Sequence, residues 1–507
     1  MGNYKTALMV GVMLACLTGE ASNAAEVGGR SAATAGAPRV FTSDHSGTFN
    51  GRKLRYTATM AETILTDPAG QKTASVFTTS YIRTDVPKGT VRPVVFVFNG
   101  GPGSASLWLH MGFVGPKRVD FTDPVHPPTT PPFHTVDNPD SPLDVADIVL
   151  IDPPGTGYSR ILPAGKPEQY YGTAQDAQMT VEVIERWTRE HDRWNAPKYL
   201  MSESYGTIRA AVVARLLAGG PMATGTMDGM TLNGVILLGQ SMDMSGSGGD
   251  DARYLTALPT LAATACYHHK GPAGCTAEGQ VAAAKAFAAD RYLKALYAGN
   301  TLPDAEREAV AAQLASLTGL PPAIITANDL RISATTFAHT LLASEGQEIG
   351  AYDGRYTLPL AGSGKDPVAD DPAMGQYVPG FVGAFDGYIR HDLSVTVPEA
   401  YEAISFRTVN GRWDYGKGPG EGADANSAKD LAIAMRRNPR LRVMVGAGYY
   451  DLVTTLGSAA FTIAHAGIPQ DRTETHLYPS GHMPYLGDEA RAALARDVRA
   501  FLTADTK

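Results

Sequence analysis

Short runs of apolar residues alternate with amphipathic helical patterns over two parts of this chain. Six runs are typical of strands buried on both faces: 93–98, 147–151, 199–201, 235–238, 442–445 and 476–478. Two of the intervening stretches, 175–191 and 208–217, carry apolar residues at helical spacing. Buried strands that alternate with helices predict an α/β protein with a parallel sheet.

The remaining segments differ from this alternation and divide the chain. Residues 39–83 alternate polar and apolar positions, which predicts antiparallel strands at the start of a first core part, 26–240. Residues 241–425 are Ala-rich and helical in pattern, and we interpret them as a single insertion. The core then resumes over 426–507. An insertion between late strands is expected to cover the carboxyl ends of the strands, where such sheets bind ligands.

The first 25 residues have the pattern of a secretory signal peptide. Lys5 precedes an apolar run over 7–17, and small residues near Ala24 offer a cleavage site. This predicts a secreted or periplasmic protein. Lipid anchoring at Cys16 is the alternative. No later stretch reaches 18 apolar residues, so we expect no stable insertion into a membrane.

Composition and charge exclude several classes of protein. Of 507 residues, 44% are hydrophobic and 19% charged, which argues against a disordered chain. The 54 glycines follow no three-residue period, which excludes collagen. The net charge of −8 comes without a basic stripe, and this argues against a nucleic acid as the main partner.

Two cysteines, Cys266 and Cys275, remain if Cys16 is removed with the signal. An even pair so close together in an exported protein favours a disulfide. The rival is a metal site that also uses His268 and His269. Adjacent histidines seldom both bind one ion, and the spacing matches no structural zinc pattern. We therefore expect no metal and no cofactor, and two free thiols are the third alternative.

The segment 199–206 has the pattern of a nucleophile elbow. A buried strand runs into a small-residue turn around Ser204, and a helix begins at once. Such a turn exposes the serine hydroxyl, and the N-terminus of the helix favours negative charge beside it. Ser204 is therefore the candidate nucleophile.

A glycine-rich loop at 98–104 follows the first buried strand. In hydrolases with such an elbow, this loop and the residue after the nucleophile supply the two oxyanion donors. The pattern assigns these roles to the N–H groups of Gly101 and Tyr205. A phosphate-binding loop is the alternative, but its Gly-Lys-Ser/Thr signature is absent from the sequence.

The acid and the base are expected late in the chain, in the order serine, acid, histidine. Asp451 follows the buried strand at 442–445, and His482 follows the last strand at 476–478. His482 would accept the proton of Ser204, and Asp451 would hold the imidazole in the correct tautomer.

Five ordered segments together resemble the serine carboxypeptidase family, whose members have the α/β-hydrolase fold. The segments are 99–104, 152–159, 203–206, Asp451 and 481–483. The resemblance implies a mostly parallel central sheet with flanking helices and a large helical cap insertion. It also implies a serine-type carboxypeptidase that removes C-terminal residues from peptide substrates with a free C-terminus.

The resemblance further implies a site for the terminal carboxylate of the substrate. Asn99, Gly100 and Glu203 would bind this carboxylate, and Met483 would line the substrate pocket. A carboxyl group can hydrogen-bond a carboxylate only while it is protonated, and like charges close together raise its pKa. We therefore expect peptidase activity to be best at acid pH.

Three positions depart from the family pattern. Ser104 replaces a cysteine, Ser202 replaces a glycine, and Phe113 stands where the family has a second glutamate in the carboxylate site. This last change predicts weakened or altered carboxylate recognition. An esterase or acyltransferase with the same triad is therefore the alternative function. A third possibility is an inactive binding protein, which predicts a damaged triad.

Overall fold

A computed structural model describes residues 37–221, 229–243, 251–364, 366–416 and 426–504. The predicted signal peptide and Cys16 lie outside these residues. Of the helices described, none combines the length and the apolar character needed to span a membrane.

The strands of the described residues are, in chain order, β1 (Val40–Phe49), β2 (Arg52–Thr66), β3 (Lys72–Arg83), β4 (Val94–Phe98), β5 (Lys117–Val119), β6 (Thr135–Asp137), β7 (Asp147–Asp152), β8 (Arg160–Ile161), β9 (Lys198–Glu203), β10 (Gly234–Leu238), β11 (Gln347–Ile349), β12 (Thr357–Pro359), β13 (Arg442–Gly448) and β14 (Thr473–Tyr478).

The α-helices of the same residues are α1 (Leu107–Leu109), α2 (Thr173–Glu190), α3 (Gly206–Leu217), α4 (Ala252–Tyr267), α5 (Ala277–Phe287), α6 (Leu293–Ala298), α7 (Asp304–Thr318), α8 (Pro322–Ala327), α9 (Ala334–Thr340), α10 (Met374–Gly387), α11 (Ala428–Arg437), α12 (Leu456–His465) and α13 (Asp488–Thr503).

One large sheet has the order β1-β2-β3-β7-β4-β9-β10-β13-β14, and β8 pairs with β3. From β7 to β14 all neighbours are parallel. The strands β1 to β3 are antiparallel, and β3 joins β7 in the same sense. The predicted mostly parallel sheet with flanking helices is therefore confirmed. Its central strands read as continuous apolar runs because every residue of β4, β9 and β10 is buried.

Helices cover both faces of the sheet. On one face, Trp187 of α2 and Leu431 of α11 belong to the same buried cluster as residues of β4 and β9. On the other face, Phe381 of α10 and Leu494 of α13 pack with the opposite side chains of those strands. Because successive strand residues point to opposite faces, each strand contributes to both clusters.

The chain leaves the sheet after β10 and returns to it at β13, although these two strands are direct neighbours. The helices between them include α4 to α9, which form a separate buried cluster with residues such as Leu261, Leu314 and Phe337. Leu452, which follows β13, belongs to this cluster and links it to the sheet. The intervening region therefore contacts the edge of the sheet where the catalytic candidates lie.

Candidate active site

Ser204 lies in the sharp turn between β9 and α3. Its φ of 58° places a non-glycine residue in the left-handed region, a conformation that costs on the order of 1–3 kcal/mol. Two backbone hydrogen bonds hold the turn: Ser204 N–H donates to Leu238 O at 3.0 Å, and Thr207 N–H donates to Ser204 O at 2.8 Å. Ser204 is partly exposed between buried neighbours, so its hydroxyl is presented as the elbow pattern predicts.

The glycine-rich loop after β4 packs directly against this turn. A Cβ atom on Gly100 would lie 2.4 Å from the backbone nitrogen of Tyr205, so no larger residue fits there. A Cβ atom on Gly206 would similarly lie 3.0 Å from Asn99 O. The backbones of the two loops are therefore in contact. The predicted oxyanion donors and the predicted carboxylate-binding residues lie on these two loops.

Arg209 of α3 ties this contact to the helix layer. It is buried and donates to Asp176 of α2 at 2.6 Å and to Asn99 O at 2.6 Å. Breaking a buried ion pair by removing one partner typically costs about 3–5 kcal/mol. This pair therefore anchors the elbow helix to the loop that carries Asn99.

His482 and Asp451 form a buried pair at the ends of β14 and β13. His482 Nδ1 lies 2.9 Å from Asp451 Oδ2. The other oxygen of Asp451 accepts from the N–H groups of Val453 and Thr454 at 2.9 and 2.8 Å. These donors fix the carboxylate, and the carboxylate in turn fixes the tautomer of the imidazole, with the proton on Nδ1 and Nε2 free to act as a base.

The electrostatic environment of His482 follows from this pairing. Burial works to lower the pKa of His482, but the charge and hydrogen bond of Asp451 outweigh it. Glu203 and Asp371 add to the same effect. The pKa of His482 is therefore raised above its usual value, and an imidazolium at this position would be stabilised.

The end of β10 and the residue after it contact both Ser204 and His482. Ser204 N–H bonds to Leu238 O, and a Cβ atom on the next residue, Gly239, would lie 3.2 Å from His482 Cε1. In the described part of the chain, the serine hydroxyl and the imidazole are not joined by a hydrogen bond within 3.5 Å. Catalytic hydrogen bonds of this kind often tighten only when substrate binds.

The two predicted oxyanion donors come from the two loops that touch, Gly101 from the loop after β4 and Tyr205 from the turn before α3. Gly101 has a φ of 103°, which turns its N–H in a direction that other residues rarely allow. Tyr205 begins the turn into α3. Neither backbone N–H donates to another group within the described ranges, so both are available to a substrate oxygen.

Asn99 and Glu203 form the second buried pair of the site. Asn99 Nδ2 donates to Glu203 Oε1 at 3.0 Å, and Asn99 Oδ1 accepts from Leu109 N–H at 3.0 Å. The residues are only 1% and 3% exposed. The bond from Leu109 fixes the orientation of the amide, so its NH₂ group faces the carboxyl of Glu203.

Burial raises the pKa of Glu203 to about 7. The positive charge of His482 and hydrogen bonding by Tyr485 and Asn99 oppose this rise, whereas the charge of Asp451 adds to it. A carboxyl group with such a pKa carries a proton at acid pH, so it can donate a hydrogen bond to another carboxylate.

The other predicted residues occupy distinct places. Met483 is buried in the sheet cluster directly after the catalytic histidine. Ser202 is buried in β9, and Ser104 accepts a hydrogen bond from Trp108 Nε1 at 2.8 Å. Phe113 is fully buried against the ring of Tyr485.

The structure places Cys266 and Cys275 in a disulfide between α4 and α5. It closes the short turn that joins the two helices. A metal site that uses both sulfurs as thiolate ligands is incompatible with this bond.

Two contacts of the triad were missed from the sequence. Thr454 Oγ1 lies 2.5 Å from Asp451 Oδ2 and 3.1 Å from His482 Nδ1. An aspartate followed three residues later by threonine is a turn signal that could have indicated it. Tyr352 O accepts from His482 N–H at 2.6 Å, and its ring stands edge-on to the imidazole. No local pattern marks this second contact.

Comparison with known proteins agrees with this geometry. The sequence model described as serine carboxypeptidase matches residues 71–246, which contain the oxyanion loop and the elbow. Over this segment the chain is similar to the serine carboxypeptidase family. No match is found among curated protein sequences.

Solved structures bear on the fold of the chain. Kex1(delta)p, a prohormone-processing carboxypeptidase from Saccharomyces cerevisiae, matches with a TM-score of 0.53 at 13% identity, over 92% of each chain. This confirms the predicted α/β-hydrolase fold. Proline iminopeptidase from Mycobacterium smegmatis matches with a TM-score of 0.35 at 12% identity, over 88% of this chain and 99% of its own.

Proposed function

We propose that this protein is a serine carboxypeptidase that removes C-terminal residues from peptides through an acyl-enzyme on Ser204, with its best peptidase activity on the acid side of neutrality. The observation that carries the proposal is the buried pair of Asn99 and Glu203 directly beside the nucleophile. An endopeptidase or esterase has no need for a protonated carboxyl at this point. A carboxypeptidase needs one because it must hold a terminal carboxylate.

The chemical steps follow from the positions of the side chains. Ser204 Oγ attacks the carbonyl carbon of the last peptide bond while His482 Nε2 accepts its proton. The oxygen of the tetrahedral intermediate accepts hydrogen bonds from the N–H groups of Gly101 and Tyr205. The C–N bond then breaks as His482 returns the proton to the leaving amine. Water hydrolyses the ester on Ser204 by the same route in reverse.

Substrate selection rests on the second pair. The terminal carboxylate accepts hydrogen bonds from the Asn99 amide and from the protonated carboxyl of Glu203. Both donors adjoin the turn that carries Ser204, so a bound terminus leaves the last peptide bond at the hydroxyl. Above neutrality Glu203 ionises, the donor is lost, and the charge of Glu203 repels the terminus.

Three matched substrates test the proposal: a blocked dipeptide with a free carboxylate, its amide and its ester. The proposal predicts release of the last amino acid from the first, preferentially below neutral pH. An esterase would hydrolyse the ester efficiently and leave the free-carboxylate peptide intact at every pH. An inactive binding protein would also fail to react with a serine-directed phosphonate probe.

We further propose that residues 241–425 form a cap over this site. Two contacts support it: Tyr352 O accepts from His482 N–H, and Trp413 Nε1 donates to the hydroxyl of Tyr205 at 3.0 Å. Trp413→Phe removes the second contact, worth about 1 kcal/mol for a neutral hydrogen bond. A loss of roughly fivefold in kcat/KM with unchanged stability is expected. Unchanged kinetics would contradict a role for the cap at the nucleophile.

Finally, we propose that the protein is exported. The predicted signal peptide and the disulfide between Cys266 and Cys275 agree, because such bonds persist in oxidising compartments. Expression of the full chain in a bacterial host should yield a periplasmic protein whose N-terminus begins after Ala24 or Ala25. A non-reducing digest should contain one peptide pair linked through the two cysteines. A cytoplasmic protein with an intact N-terminus would contradict this proposal.

A further inference from the structure

Two buried polar atoms beside the nucleophile have no hydrogen-bond partner within the described residues: Glu203 Oε2 and the hydroxyl of Tyr485. Tyr485 is only 1% exposed and Glu203 only 3%. Buried polar groups without partners are rare in folded proteins and each asks for an explanation. Here a hydroxyl donor and a carboxyl acceptor lie in one site, and neither completes a hydrogen bond of good geometry.

The Tyr485 hydroxyl and the Glu203 carboxyl are close enough to act on each other's pKa. Burial raises the pKa of Tyr485 well above its usual value, and the carboxyl of Glu203 raises it further. In return, hydrogen bonding by the Tyr485 hydroxyl works to lower the pKa of Glu203. The Asn99 amide also interacts with this hydroxyl. Tyr485 therefore keeps its proton at every working pH and acts toward Glu203 as a donor.

The ring of Tyr485 is held in place by its neighbours. Phe113 stacks on it with ring centroids 6.2 Å apart and an angle of 15° between the planes. A Cβ atom on Gly112 would lie 2.3 Å from the ring, so only glycine leaves room for it. Since the ring is fixed on these sides, the hydroxyl has a fixed direction toward the carboxylate site.

We propose that Tyr485 is a positioning residue of the carboxylate site, and that its hydroxyl orients the Glu203 carboxyl through the oxygen that Asn99 leaves free. The inference rests on the proposed carboxypeptidase function. With Asn99 on Oε1 and Tyr485 on Oε2, the carboxyl plane is held from both sides, and its proton can be offered to the substrate terminus. Tyr485 itself does not touch the reacting atoms.

The proposal predicts in which direction the pH profile of the peptidase activity moves when the Tyr485 hydroxyl is removed. The groups that face Glu203 are His482 and Tyr485 from the loop after β14, Asp451 from the loop after β13, and the neutral Asn99. A hydroxyl donor favours the ionised carboxylate, so removing it raises the pKa of Glu203. The protonated, substrate-binding form then persists to higher pH, and the alkaline limb of the peptidase profile moves upward.

Tyr485→Phe tests this, because it deletes the hydroxyl and keeps the ring on Phe113. Tyr292→Phe is the control: its hydroxyl is also buried but donates to Leu330 O in the inserted helical region. In Tyr485→Phe, the alkaline limb of kcat/KM for a free-carboxylate dipeptide should move up by about one pH unit. Ester hydrolysis should change less than twofold, and the control should match the wild type.

A second readout is independent of peptidase activity. Infrared difference spectra across pH follow the carbonyl band of protonated Glu203, which is identified by its loss in Glu203→Gln. In Tyr485→Phe this band should persist about one pH unit higher than in the wild type. When Tyr485→Phe is added to Glu203→Gln, the alkaline limb of the peptidase pH profile should not move relative to that of Glu203→Gln alone.

The outcomes separate the two proposals. If the wild type cleaves no free-carboxylate peptide, the proposed function fails, and the infrared midpoint still decides the role of Tyr485. If the infrared midpoint and the alkaline limb of Tyr485→Phe equal those of the wild type, Tyr485 only fills space and the inference is overturned.

Discussion

Two buried carboxyl groups lie within the same site, and their surroundings differ. Asp451 accepts hydrogen bonds from two backbone N–H groups, from Thr454 and from His482. Glu203 accepts one firm bond, from Asn99, and keeps an oxygen without a partner among the described residues. The group that must stabilise an imidazolium is surrounded by donors. The group that must exchange a proton and meet a substrate is left short of them.

The comparison gives each half of the site a separate task. The half built on His482 and Asp451 is organised before substrate arrives, which is what electrostatic stabilisation of a transition state requires. In our proposal, the half built on Glu203 is completed only when the substrate terminus binds. Damage to the first half should therefore lower kcat on every substrate, and damage to the second should affect only substrates with a free carboxylate.

The largest loss is expected from Ser204→Ala, which removes the nucleophile that both halves serve. The turnover of peptides and of esters should fall together. The residual rate should be about 10³-fold above the uncatalysed rate in water. Measured kcat values for both substrates check this, with Ser458→Ala in α12 as the control serine. Near wild-type activity would show that the nucleophile lies elsewhere.

Asp451→Asn should cost on the order of 10⁴ in kcat, because the amide favours the wrong tautomer of His482. The loss should be equal for peptide and ester, because Asp451 belongs to the half of the site that acts on every substrate. Asp497→Asn is the control, since Asp497 also accepts a hydrogen bond, from Tyr478, at a partly buried position outside the site. A loss below tenfold for Asp451→Asn would move the catalytic acid to another residue.

Glu203→Gln should separate the two halves. The side-chain amide donates a hydrogen bond without a proton, so the variant keeps its peptidase activity where the wild type loses it. The hydrogen bond at stake is worth about 1.5–3 kcal/mol, so the ratio of variant to wild-type kcat/KM on peptides should rise by roughly 10- to 150-fold across the ionisation of Glu203. Esters should show no such rise.

The control for this variant is Glu348→Gln, which changes a buried glutamate that contacts His339. Its peptide profile should match that of the wild type. A peptide profile of Glu203→Gln that also matches the wild type would remove Glu203 from substrate recognition and favour the esterase alternative.

Thr454→Val should have the smallest effect. It removes one of the donors of Asp451, and the remaining backbone donors keep the carboxylate in place. A loss of about three- to tenfold in kcat on all substrates is expected, which is below the roughly 10- to 150-fold value of a full hydrogen bond to a charged group because the backbone donors remain. Thr454→Ser should restore the activity. A loss restricted to peptides would contradict the division of the site.

The fold could be predicted from the sequence because its central strands are buried on both faces. That burial forces continuous apolar runs, which β4, β9 and β10 display over every residue. The predicted triad was accessible for a related reason. In a parallel sheet, binding and catalytic residues lie at the carboxyl ends of the strands. Ser204 directly follows β9, and Asp451 and His482 follow β13 and β14 within four residues.

Contacts between distant segments could not be read from the sequence. Trp413 meets Tyr205 across 208 positions, and no local pattern records that pairing. The same holds for Tyr485, whose place depends on the space beside Gly112 and on the ring of Phe113. The sequence marks Phe113 as a departure from the family pattern. It does not reveal that the hydroxyl of Tyr485 lies near Asn99 and Glu203.

The central claim is that a titrating carboxyl group selects substrates with a free terminus. Its most direct test is the ratio of wild-type kcat/KM for a free-carboxylate dipeptide to that for the matching dipeptide amide, measured against pH. Effects of His482 are common to both substrates and cancel in the ratio. The account predicts a ratio that is high at acid pH and falls as the pH rises through about 7, where Glu203 loses its proton. A ratio that stays constant across this range would contradict it.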